Sequence, residues 1–306
     1  MRKAYTSGES LIDIIFSNGD VKTARAGGSM LNSSVSLGRA GVDTIFLSEF
    51  GQDKGGEFIA GFLTANGVNT TNVYRYEDGK TAIALAFLND KGDASYEFYK
   101  SYPEDRLRLE MPPFTREDFF LFGSFFGIDP AIREQMVNIA STAAKAGAMI
   151  IYDPNFRKPH AHELERLRPL ILENIRLSTL VKASDEDLEI IFGSSDPARL
   201  SAIKELENKP LIITRGASGV EIHTAACRAQ YPAPKIEVVS TIGAGDNFNA
   251  GLIFGLMKEG IYPETIHKTG ETSWKKITEY AMAFAANVCM SYDNYISPEF
   301  AKTLTR

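Results

Sequence analysis

The sequence predicts an α/β protein: a doubly wound, mostly parallel sheet with helices on both faces, plus a small β-sheet lid. Three observations carry this. From residue 118 onward, short apolar runs alternate with helix-length stretches, the rhythm of βαβ units. The apolar runs at 148–152 and 211–213 show no polar alternation, as expected of strands covered on both faces. The first hundred residues hold more strand-like runs than a parallel sheet needs.

Taken in order, residues 4–6, 11–16, 44–50, 72–76, 81–88 and 94–99 read as strands. Asp78-Gly79 and the polar stretch 89–93 are turn signals, so 81–88 and 94–99 form a hairpin. Helices are expected near 30–39 and 56–66, closed by Gly41 and Gly67. Strand and helix then alternate at 119–122 and 131–146, 149–152 and 161–173, 179–181 and 186–192, followed by a strand at 211–214. A strand-rich patch spans 220–239, and long helices cover 245–259 and 272–290. The surplus strands, from about 11–25 and 72–102, are expected to form the small sheet, either a lid that orders over a ligand or a plain antiparallel extension. No internal repeat or low-complexity linker interrupts residues 1–306, which read as a single domain.

The 306 residues are 44% hydrophobic and 24% charged, the profile of a globular protein with ample core. A net charge of −6 gives no electrostatic case for nucleic acid or an anionic membrane surface. The run 11–16 is short and interrupted by Asp13, and no apolar stretch reaches the roughly 20 residues of a membrane span. Cys227 and Cys289 lie far apart and read as reduced thiols, so a cytoplasmic protein is expected. The four histidines form no ligand cluster; His160 and His162 follow Pro159 in what reads as a solvated turn.

The most informative segment is Gly243-Ala244-Gly245-Asp246, followed by a small-residue apolar stretch that reads as a buried helix. Glycines bare the backbone, and a helix N-terminus offers free N–H groups and partial positive charge to an anion such as phosphate. Asp246 would repel that phosphate. Two readings explain it: a helix cap, or a base that takes the proton from a hydroxyl attacking phosphorus. The segment is neither a Rossmann fingerprint, since Phe248 stands where the third glycine belongs, nor a P-loop.

Four further clusters have both a structural and a functional reading. Gly27-Gly28 permits close ligand approach, with Asn32 a helical turn on and Asp13 alone in an apolar strand, where a carboxylate needs a partner. Sugar hydroxyls would serve; so would a glycine cap, a capping Asn and an Asp facing water. Asp153-Pro154-Asn155-Phe156-Arg157 follows a buried strand at the carboxyl edge of the sheet, where open α/β folds bind ligands; it also suits a surface turn. Thr214-Arg215-Gly216-Ala217-Ser218-Gly219 could lie against a flat or phosphorylated ligand. Ser184-Asp185-Glu186-Asp187 reads locally as a helix cap with first-turn acids, and alternatively as a holder of Mg²⁺ through water.

The order of these motifs, with Gly51-Gln52-Asp53-Lys54-Gly55-Gly56 between them, resembles the PfkB sugar kinase family that includes ribokinase, over nearly the whole chain. The resemblance implies a ribokinase-like fold and transfer of the γ-phosphoryl group of ATP to a sugar hydroxyl with Mg²⁺ present. It implies Asp246 as catalytic base and the amides of Gly243, Ala244, Gly245 and Asp246 as anion hole. Asp13, Gly27, Gly28, Asn32, Phe98 and Arg157 would bind substrate. Asn155, Ser184, Thr214, Gly216, Gly219 and Asn287 would face the nucleotide, and Asp187 would hold Mg²⁺ through water. Phosphoryl transfer is mostly positioning and charge neutralisation, and an ordinary Asp, with a pKa of about 3.9, is ionised at neutral pH. Relatives often carry Asp-Thr ahead of the glycines; here it is Ser240-Thr241, so activation by a monovalent cation is not carried over. The acidic motif is Ser184-x-x-Asp187 in place of Asn-x-x-Glu. Thr81-Ala82 and the stretch 92–99 look most like fructokinases, which makes fructose the expected acceptor. 2-Keto-3-deoxygluconate, with Arg157 or Lys100 as the extra cation, and ribose are the alternatives. A non-catalytic sugar sensor is the contrasting class, and the intact Asp246 and anion-hole sequence argue against it. Relatives often dimerise through the lid sheet, so a homodimer is expected.

Overall fold

The computed structural model describes residues 2–88, 94–156 and 158–304. The strands are β1 (Lys3–Ser7), β2 (Leu11–Ser17), β3 (Asp20–Gly27), β4 (Asp43–Gly51), β5 (Val68–Asn69), β6 (Val73–Tyr76), β7 (Lys80–Leu88), β8 (Ala94–Ser101), β9 (Phe119–Gly123), β10 (Met149–Asp153), β11 (Leu180–Ser184), β12 (Leu211–Thr214), β13 (Val220–His223) and β14 (Arg228–Tyr231). The helices are α1 (Ser29–Arg39), α2 (Lys54–Ala65), α3 (Arg133–Lys145), α4 (Leu164–Leu177), α5 (Asp185–Phe192), α6 (Pro197–Leu200), α7 (Ala244–Lys258), α8 (Glu271–Cys289) and α9 (Pro298–Leu304).

The large sheet runs β14-β13-β12-β11-β10-β9-β1-β4-β5, parallel from β12 to β5 and antiparallel at the β13–β14 edge. Its central strands β9 and β10 are apolar in unbroken runs because both faces are covered, with Asp153 only at the end of β10. Phe119 and Leu121 of β9 and Met149 and Ile151 of β10 face the core shared with α1, α7 and α8. Phe120, Phe122, Ile150 and Tyr152 face the core built with α3, α4 and α5. Helix α7 is buried from Asp246 to Leu256, which explains its lack of a polar stripe.

The smaller sheet has the order β3-β2-β7-β8. Its two hairpin pairs are antiparallel and β2 and β7 run parallel at its centre. Two expectations change here. Residues 73–76 do not join this sheet; β6 pairs parallel with the end of β4 in the body. Residues 20–27, not read as a strand from the sequence, form β3, which pairs with β2 through a register shift at Ile15/Phe16. The 89–93 turn lies outside the described residues.

Candidate active site

Gly243 is the N-cap of α7 and adopts the left-handed conformation, φ 78°, open to glycine without steric cost. The buried side chain of Asn247 fixes this turn. Its amide donates to the carbonyls of Gly243 at 2.7 Å and Asn294 at 2.8 Å, and its oxygen accepts from Ser36. The Ala244 amide is used by Thr241 at 3.2 Å. Gly245 and Asp246 follow in the first turn of the helix, the end whose dipole favours negative charge. That is a seat for an anion.

Asp246 lies in the first turn of α7 and is 5% exposed. Because Gly243 is the cap, the capping reading of Asp246 does not hold. Its carboxylate is instead held from α1: Ser29 Oγ donates at 2.6 Å and Asn32 Nδ2 at 2.8 Å. Asn155 donates to Ser29 at 2.9 Å. Asn32 and Asn155, expected at substrate and nucleotide, thus also help to aim Asp246.

Asp13 approaches from the small sheet. Arg25, Asp13, Ala84 and Phe98 are direct cross-strand partners along one row, so all four face the same side. A Cβ on Gly27 would fall inside the Asp13 carboxylate, and one on Gly28 (φ 131°) inside the Glu9 carbonyl. These glycines make room first for the protein's own groups. Burial pushes the Asp13 carboxyl up to about 7; Arg25 opposes this, while the charges of Glu9 and Asp246 add to it. The two carboxylates are thus within electrostatic reach across the gap between sheet and body. Phe98 is 53% exposed on the Asp13 face, with the Lys100 ammonium 5.1 Å from its ring centroid. Lys100 itself is paired to Glu9 at 2.6 Å, and Tyr102 donates to the same carboxylate at 2.7 Å.

The carboxyl edge of β11 and β12 carries the positions expected at the nucleotide. Thr214 ends β12, its hydroxyl 3.4 Å from the Ala183 carbonyl. Gly216 (φ 52°) borders open space, whereas a Cβ on Gly219 would enter the Tyr231 carbonyl. Gly219 is required by the fold; Gly216 leaves room for a ligand. Asn287 accepts from the Ser297 amide at 2.8 Å and anchors the start of α9. Ser184 and Asp187 form a reciprocal capping box at the head of α5, at 3.0 and 3.3 Å. The local capping role read from the sequence is what the structure shows. Burial, followed by the Asp153 charge, raises the Asp187 pKa, a position that a nearby cation would relieve. An oxygen donor set of this kind fits a divalent ion held chiefly by phosphates and water. Among the described residues no group of three or more His, Cys, Asp or Glu could hold a metal by itself. Arg157 lies outside the described residues.

Two side chains beside the site, Lys182 and Asn249, escaped the sequence reading. They form a buried cluster between α7 and the sheet with Asp153, the first residue of the Asp153-Pro154-Asn155 motif: Asp153 Oδ2 accepts from Lys182 Nζ at 2.9 Å and from Asn249 at 2.7 Å. The available signal was Lys182 itself, a lone charge in the apolar strand β11, the same clue that singled out Asp13.

Comparison with known proteins agrees with this geometry. The family model "pfkB family carbohydrate kinase" matches residues 17–299. Fructokinase-1 of Oryza sativa is 29% identical over 266 residues, covering 82% of this chain and 82% of the relative. Aminoimidazole riboside kinase of Salmonella typhimurium is 27% identical over 270 residues, covering 87% of this chain and 84% of the relative. The crystal structure of fructokinase from Vibrio cholerae with fructose, ADP and calcium ion superposes with a TM-score of 0.83 over 99% of both chains at 19% identity, a likeness of fold. The phosphate-ready head of α7, the carboxylate aimed beside it and a match over nearly the whole chain lead to one conclusion: this chain belongs to the PfkB family of carbohydrate kinases, phosphotransferases whose acceptor is a hydroxyl group.

Proposed function

We propose that this protein transfers the γ-phosphoryl group of ATP to a hydroxyl of fructose. The observation that carries the reading is the placement of the buried Asp246 carboxylate in the first turn of α7, held there by Ser29 and Asn32 and within electrostatic reach of Asp13. Asp13 accepts hydrogen bonds from sugar hydroxyls on the small-sheet side. That leaves the acceptor hydroxyl in front of Asp246, whose orientation Ser29 and Asn32 fix. Asp246 takes the proton as the oxygen–phosphorus bond forms, and the Gly245 and Asp246 amides stabilise charge on the moving group. ATP lies along the carboxyl edge of β11 and β12, over Gly216 and beside Thr214. When bound, Mg²⁺ neutralises charge on the phosphates, with Asp187 holding it through water. The small sheet closes over the sugar as a lid, and a second copy of the chain covers its outer side. Two buried free thiols fit a cytoplasmic protein.

Fructose is favoured by the fructokinases among the relatives. For a sugar acid, Lys100 is a poor counter-ion because Glu9 already engages it. A riboside is the second reading: the Salmonella relative is named for one, and exposed Phe98 could stack on a planar aglycone.

The test is ADP release from Mg-ATP with fructose, 2-keto-3-deoxygluconate, ribose, adenosine and aminoimidazole riboside in parallel. Fructose is expected to give the highest kcat/KM, and Asp246→Asn to lower kcat by about 100-fold or more. A higher kcat/KM with another acceptor overturns the fructose reading. An undiminished kcat in Asp246→Asn overturns the role of the base.

A further inference from the structure

Lys182 is, among the described residues, the one lysine that is buried. It lies in β11 on the face turned toward α7, its side chain 4% exposed, paired to an Asp153 side chain that is 1% exposed. Its ammonium is also 3.5 Å from the Gly245 carbonyl, and a Cβ added to Gly245 would lie 3.2 Å from it. The head of α7 therefore rests on this ammonium. The contact continues toward the reacting groups. The other Asp153 oxygen accepts from the Asn155 amide at 3.2 Å, Asn155 donates to Ser29 at 2.9 Å, and Ser29 donates to Asp246 at 2.6 Å.

Stability alone gives this arrangement little reason to exist. Removing an ion pair from water costs several kcal/mol per ion, and well-packed apolar residues often do as well or better. A cation beside the positive end of a helix is also disfavoured. An anion arriving at that helix end reverses the balance, because ammonium and helix then act on it together. We propose that Lys182 is a positioning residue for phosphoryl transfer. It fixes the Gly245 turn from beneath, sets Asp246 through the chain Asp153–Asn155–Ser29, and places buried positive charge behind the anion seat. The proposal rests on the family's activity and on no particular sugar.

The test compares Lys182→Met with the charge-neutral pair Lys182→Met/Asp153→Asn, using whichever acceptor the wild type phosphorylates. Lys182→Met is expected to lower kcat about tenfold to a hundredfold, with the acceptor KM within about threefold of wild type. The double variant, with no unpaired buried charge, is expected to melt near the wild type and still to show the low kcat. Titration with ADP and aluminium fluoride, a mimic of the moving phosphoryl group that requires no sugar, should weaken by the same factor as kcat, while ADP alone binds as before. Recovery of wild-type kcat in the double variant overturns the proposal, because Lys182 would then serve only to offset Asp153. So does a loss confined to acceptor KM, or unchanged affinity for the ADP–fluoride complex.

Discussion

Asp13 is a carboxylate held where its charge is costly. Its pKa in the folded chain is about 7, above the ordinary value of about 3.9, so the folded state holds the proton across that window. The stability this group contributes is fully present below about pH 4 and is lost as pH rises through about 7. Asp13→Asn removes the loss. The variant should therefore melt above the wild type at pH 8, by an amount corresponding to about 4 kcal/mol, and by clearly less at pH 5. Its acceptor KM should rise tenfold or more, since an amide cannot replace a carboxylate accepting two hydroxyls. Thermal melts of the apo protein at both pH values check this, and a lower melting temperature at both would sink it. Asp13 was legible because a lone acid in an apolar strand asks for a partner. Lys182 carried the same signal and was passed over. Asn155 was legible from its place after a buried strand, but not its partner: its bond to Ser29 joins residues 126 apart in sequence, which no local pattern records.

Among the elements, α7 shows what sequence pattern conveys and what it omits. Its glycines and small residues marked a buried helix, but not why two of them recur four apart. A Cβ on Gly251 would lie 2.7 Å from the Ala281 Cα, and one on Gly255 2.9 Å from the Ile277 Cα. Both neighbours belong to α8, so the glycines let the two backbones approach. Gly255→Val should lower stability by about 1–3 kcal/mol through overpacking. Because Gly255 lies more than two turns from Asp246, KM for both substrates should stay near wild type. Denaturant unfolding with parallel kinetics tests this, and an undiminished midpoint would refute it. Helices α1 and α2 end before Gly41 and Gly67, both left-handed, as their glycines foretold. The errors fell where propensity and pairing part. The strand-rich patch expected over 220–239 holds β13 and β14, but among the described residues no strand follows β14 in its valine- and proline-rich end, 232–239. The helix expected at 131–146 opens with a 3-10 turn at Pro130–Ile132 before α3, and that expected at 161–173 follows another at Lys158–Glu163. β3 was hard to see because Lys22 and Arg25 interrupt its apolar alternation.

At the scale of the whole molecule, the small sheet is amphipathic in an unusual sense: it carries aromatic groups on both faces. Phe98 stands on the Asp13 side. On the opposite side, Phe16 and Phe87 stack with centroids 5.0 Å apart, Val21 pairs with Phe16 across the hairpin, and Tyr99 pairs with Ile83. Val21, Phe87 and Tyr99 are exposed. Some of this side packs on α2, where Ile12 meets Gly55, but the outer end does not. An exposed apolar face bounded by unpaired edge strands is a combination that proteins normally cover. A second copy of the same sheet is the simplest cover, because a two-fold axis brings each patch onto its equal. The proposed homodimer is therefore expected to be seen as twice the chain mass by light scattering at micromolar concentration. Phe87→Glu/Tyr99→Glu should convert it to a monomer, since a charge cannot be buried unpaired at such an interface. The substituted residues face away from Asp13, so a monomer with fructose KM intact would place the association on this side of the sheet. A wild-type monomer, or a variant that remains dimeric, would reject it. The outcome also bears on closure: a dimer joined through these sheets would tether each lid to its twin, so that sugar binding in one copy would be felt in the other.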